Sequence, residues 1–192
     1  MDTYHVVLYV HFLSVFIGLG AASVLMACLF RLRASETLAD AAPWGMMAGK
    51  IGRAFPVAVL GLFATGAYMT SDVWSWSTGW IVVSIVGLAI VAIQGPLIAE
   101  RTGHKLGAAL MANGPGPLGP EARRMTRHPG LWVVEFTNVA LVLGIVWNMT
   151  QKPSTASAIL TLVVAYAVGL AIAFWLMRAP AEAPATAAEP SQ

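Results

Sequence analysis

Two ionisable side chains stand where the sequence is otherwise apolar. His11 lies in the run from Val6 to Phe30, which contains no acid, lysine or arginine. Glu135 lies in the run from Leu131 to Met149, with Asn138 three positions further on. That spacing puts Glu135 and Asn138 on one helix face. An ionisable group in a membrane span costs about 3 kcal/mol at the centre by insertion scales, so each needs a partner or a role. For His11 two chemistries are open. One is a hydrogen bond across a helix bundle, with Thr65, Tyr68, Asn148 and Thr161 as partners at similar depth. The other is ligation of haem iron or copper, because neutral imidazole is the commonest metal ligand. His5 is six residues away and falls on another helix face. Met69 and Met149 are soft side chains able to approach copper. For Glu135 the alternatives are a carboxylate paired with Arg127 or His128, or a proton or cation site with Asn138 and Gln94 as polar lining.

Helix rise places His11 and Glu135 roughly 15–20 Å apart along the membrane normal, towards opposite faces. They are therefore expected to form two sites. His11 and His128 fail the equal-depth requirement of a paired-histidine haem, which leaves a single histidine with Met, Tyr or an open position. No HExxH, phosphate-binding loop or nucleophile–base pair is present, so no enzyme class is assigned. Cys28 is the single cysteine, which excludes an intramolecular disulfide and multi-cysteine metal motifs. It is expected as a buried, inert thiol.

Composition sets the frame that must position these groups. The 192 residues are 58% hydrophobic and 10% charged, with a mean hydropathy of +0.73. Soluble domains carry roughly 25% charged residues, so a bilayer is the expected surrounding. Five spans are predicted, at about 6–30, 54–71, 80–98, 131–149 and 157–177. The fold class is an all-α transmembrane bundle over residues 1–178. The Ala/Pro-rich stretch 179–192 is expected to be a disordered tail. The segment before the first run has no basic residue, so the first span is expected to be uncleaved; the alternative is a signal ending near Ala21–Ala22. Gly18, Gly20, Ala21, Ala22 and Ser23 form a small-residue patch suited to close helix packing, with Gly18 and Ala22 on one face. Pro43 is expected to break or start a helix, and Asn113 to Pro120 to be a loop.

Charge orients the spans. Ten of the eleven basic residues fall in the 31–53 connection, the 99–130 connection or at Arg178. Only Lys152 falls on the other side. The positive-inside rule then places the N-terminus outside and the C-terminus in the cytoplasm. Four or six spans would put a basic loop outside.

The segments HFLSVFIGLGA from His11, LFATG from Leu62, Trp80 at the head of the third span and MTQKP from Met149 resemble a bacterial family of predicted integral membrane proteins, defined as a domain of unknown function. This resemblance covers about residues 6–178 and implies a bacterial inner-membrane location. His11 followed by Gly18 and Gly20 is also similar to the copper resistance protein D and membrane protoporphyrinogen oxidase families. That likeness implies haem b or copper at His11. Phe16 and Ile17 stand where those families carry a tryptophan before the glycine. Three functions follow as expectations. The chain is a haem- or metal-associated redox module around His11, or a permeation protein for a small solute, ion or proton using Glu135, Asn138 and Gln94. The third is a scaffold or accessory subunit that presents the Gly18 face to a membrane protein partner or a second copy. The lipid bilayer is its surrounding in each case, and nothing points to nucleic acid.

Overall fold

The computed structural model describes residues 2–178; the expected tail at 179–192 lies outside them. The described chain is helical: α1 (Thr3–Ala34), α2 (Leu38–Ile51), α3 (Ala54–Val73), α4 (Gly79–Gln94), a π-helical segment (Gly95–Glu100), α5 (Arg101–Ala112), α6 (Pro120–Thr126), α7 (Pro129–Gln151) and α8 (Thr155–Arg178). Five helical stretches are long and apolar enough to cross a membrane, and their cores coincide with the five expected spans. The chain is an all-α, multi-pass bundle.

Two boundaries differ from expectation. Pro43 lies inside α2, because the helix already starts at the cap Thr37, whose hydroxyl accepts from the Asp40 N–H at 3.2 Å. Burial of Ala41 offsets the hydrogen bond that the proline omits. The third span runs on through the π-helical segment into α5. Pro96, second in that segment, lacks the N–H that an α-helical ladder needs at this point, and the chain takes a wider turn.

The loops sort to two ends. At one end Lys152 lies with Nζ 4.7 Å from the centroid of the Trp74 ring, and Trp74 meets Trp80 edge-on. At the other, basic end the two long connections pair. Leu38 N–H donates to the Gly116 carbonyl at 2.9 Å and Leu118 N–H to the Glu36 carbonyl at 2.8 Å. The main apolar core also lies here, where α2, α5 and α6 close over the ends of α1, α7 and α8. Trp132, 1% exposed, is its centre. It stacks on Phe136, meets Phe30 edge-on at 4.9 Å and carries the Arg33 guanidinium 5.4 Å from its centroid. Arg33 also donates to the Leu176 and Met177 carbonyls, in the last described turn of α8, at 2.8 and 2.9 Å. Cys28 is fully buried, as expected.

Away from this cap, helices meet through small residues. α1 and α3 run antiparallel with Gly18 against Ala58, Ser14 against Gly61, and His11 against Thr65 and Gly66. On α8, Gly169 sits against the backbone of α7. A Cβ there would lie 2.7 Å from the Phe136 carbonyl oxygen and 2.8 Å from the Thr137 Cα. Backbone cannot step aside as a flexible side chain can. Gly169→Ala is therefore expected to destabilise the protein by ~1–3 kcal/mol, seen as a lower melting midpoint in detergent. Gly20→Ala, with nothing within 4 Å of its Cβ, should leave the midpoint in place.

Candidate functional site

His11 and Glu135 occupy different ends of the bundle, as their positions along the spans require. His11 is 5% exposed and faces α3. Its Nδ1 lies 2.8 Å from Thr65 Oγ1. The Thr65 hydroxyl has one hydrogen, and the Gly61 carbonyl one turn earlier takes it at 2.5 Å. Nδ1 must then carry the proton and donate to Thr65, which leaves Nε2 as a bare acceptor. Nε2 is buried and has no hydrogen-bond partner. The sequence offered four partners, and the geometry selects Thr65. Tyr68 is exposed, Asn148 donates to the Ala158 carbonyl and Thr161 donates within its own helix.

This tautomer is the one a metal-ligating histidine adopts, with the second nitrogen held by a hydrogen bond. The surroundings fit a bound group less well. Gly66 lies beside the ring, where a Cβ would make ordinary contact with Cε1 at 3.6 Å. Nε2 is buried, and among the described residues no group of three or more His, Cys, Asp and Glu could hold a metal ion.

Glu135 projects from α7 about two turns inside its start and is 6% exposed. The expected pairing with Arg127 or His128 is not made. Arg127 is exposed at the end of α6, and His128 is the N-cap of α7, its Nδ1 accepting from the Gly130 N–H at 3.1 Å. Glu135 Oε1 is buried and accepts no hydrogen bond. Asn138 Oδ1, on the same face, is likewise buried and unpartnered. Gln94 reaches this level from α4, its Oε1 3.3 Å from the hydroxyl of Thr137, the chain neighbour of Asn138. The π-helical segment starts directly after Gln94 and packs on the first turns of α7. Gln94 thus meets α7 at Thr137, about 200° round the helix from Glu135, and the structure does not bring it to the Glu135–Asn138 pair.

Gly18 and Ala22 are used within the chain. Gly18 meets Ala58 of α3 and Ala22 is buried, so this face is not open to a partner. The sequence reading missed the π-helical segment, although Gln94-Gly95-Pro96 in an apolar run is its signal. It also missed Arg33 as a clamp. Asn148 Oδ1, fully buried and unpartnered near the opposite end, is a further polar group with no assigned partner. An apolar groove lined by Trp147, Leu160, Thr161, Val164 and Ala165 opens outward between α7 and α8 and holds none of the candidate residues.

The His11 assignment has a direct check. Nitrogen-15 NMR of the histidine rings should show His11 protonated at Nδ1 and bare at Nε2. Thr65→Val should cost ~1–3 kcal/mol by leaving the buried Nδ1–H without an acceptor, whereas Thr65→Ser should retain most of the stability.

Comparison with family models, with curated proteins and with solved structures found no match to this chain. Its functional reading therefore stands on its own geometry.

Proposed function

We propose that the chain is a multi-pass protein of a bacterial inner membrane, with its N-terminus outside, that takes up a proton or small cation at Glu135 from the cytoplasmic side. One observation carries this: Glu135 Oε1 and Asn138 Oδ1 are both buried on one face of α7 and both lack a partner. A buried carboxylate without a counter-charge is several kcal/mol unfavourable by the order of its desolvation alone. A structural carboxylate would be expected to have an arginine or backbone donors, and here Arg127 is exposed and His128 caps α7. A group that exchanges a proton or cation needs the opposite, an acceptor site left open by its own chain. The concentration of basic loops at the end nearer Glu135 supports the orientation.

In proteoliposomes a Glu135-dependent flux is expected, read with a pH-sensitive dye or a cation electrode. Glu135→Gln should reduce it to the level of empty vesicles while the melting midpoint stays close to wild type. Flux unchanged in Glu135→Gln would overturn this reading.

A second reading, a redox module at His11, is favoured by the bare Nε2 alone. A Soret band or stoichiometric copper in the purified protein, lost in His11→Ala with folding intact, would establish it. A colourless and metal-free sample after haem supplementation would remove it.

A further inference from the structure

We infer that Lys50 and Arg53 hold the phosphate of an anionic phospholipid, drawn from the leaflet at the basic end against the junction of α2 and α3. This stands apart from the reading of Glu135. Depth argues first. α1 and α3 keep one antiparallel register, with His11 at Thr65, Ser14 at Gly61 and Gly18 at Ala58. The register continues past the junction into α2, where the Arg31 guanidinium lies over the Trp44 ring. It sets Lys50 level with Leu25 or Met26 and Arg53 level with Ala22 or Ser23. The bonds from Arg33 to the last described turn of α8 match the end of α1 to the end of α8. α8 presents exposed apolar side chains from Ile159 to Trp175, so the hydrocarbon reaches to within one turn of Arg178. Measured from Arg31, helix rise then carries Lys50 about 7–8 Å and Arg53 about 12 Å into the apolar layer.

The surface around the pair argues second. Lys50 and Arg53 are exposed, and among the described residues no acid pairs with either. Met46, Met47, Val57 and Leu60 are exposed at spacings of three and four from them, so apolar side chains flank the charges on both sides. A cation in this setting needs a counter-charge or a way out. An extended stem of about 6–7 Å returns the Lys50 ammonium to the level of Arg31 but leaves the Arg53 guanidinium short of it. A lipid phosphate brings the missing negative charge from the boundary of that same layer, and two cations one turn apart can share its oxygens. Gly49 leaves the surface beside Lys50 open, with nothing within 4 Å of where a Cβ would stand. Val57 and Leu60 continue from Arg53 towards the bilayer centre, the direction in which the acyl chains of such a lipid run. These bulky side chains do not form the small-residue seam by which a second helix packs, which favours lipid over a partner span.

The test uses the full chain in phosphatidylcholine vesicles carrying a trace of spin-labelled phosphatidylglycerol or spin-labelled phosphatidylcholine. Electron spin resonance reads the share of each label immobilised on the protein. A preference for phosphatidylglycerol of about threefold or more is expected, kept in large part at high salt because the charges lie below the aqueous surface. Lys50→Gln combined with Arg53→Gln should remove the preference. Arg123→Gln combined with Arg127→Gln, two exposed arginines at the same end of the bundle, should leave most of it. Should the first pair of changes prevent folding, Arg53→Gln alone is read, with a fall of at least about twofold expected. Equal immobilisation of the two labels on the wild-type chain would overturn the site and leave the pair to an acidic span of a partner protein. A preference abolished by high salt, or lost as fully in the Arg123 and Arg127 variant, would overturn it as general surface attraction.

Discussion

Arg33 joins the end of the first span to the end of the last. Its guanidinium donates to two carbonyls of the final turn of α8 and lies over the ring of Trp132. Those carbonyls lie in the last described turn of α8, where side-chain donors commonly serve a helix end. A fixed positive charge also suits the negative end of a helix dipole. The same side chain thus completes a helix terminus and seats the largest buried ring of the core. The cap of α2, α5 and α6 is built around that ring, and the level of Glu135 follows from it, since Glu135 lies one turn beyond Trp132 on α7.

The bundle is held by different means at its two ends. At the basic end, amphipathic helices bury leucines and aromatic rings in the manner of a soluble core. Towards the other end, glycine, alanine and serine let backbones approach, and Leu141, Ile145 and Leu162 form a smaller apolar cluster between α4, α7 and α8. In lipid there is no hydrophobic drive to bring these spans together, so shape and a few polar contacts must do it. His11 to Thr65 is one such contact, and it sets the register in which Ser14 meets Gly61 and Gly18 meets Ala58. Structural duty explains one nitrogen of His11 fully. It gives no account of the other.

The five spans and the sorting of the loops were legible because both depend on single-residue properties, apolarity and charge, summed over long windows. The depth of His11 and Glu135 followed from helix rise alone. Partner choice was not legible. Thr65 was one of four residues at the right depth, and only the rotation of α3 against α1 selects it. The pairing expected for Glu135 failed because His128 caps α7 instead, a choice fixed by where Pro129 starts that helix. The small-residue patch of α1 had the composition of a packing surface; whether it served an inner or an outer neighbour depended on which span came to lie beside it.

The contact between Arg33 and Leu176 spans 143 residues of sequence, which orders events in time. During synthesis at about 5–20 residues per second, Arg33 emerges on the order of ten seconds before the carbonyls it serves. The packing of α1 on α3, by contrast, uses only residues 3–73. Arg33 thus ties α1 to α8 through a contact that can form only after Leu176 and Met177 have been made.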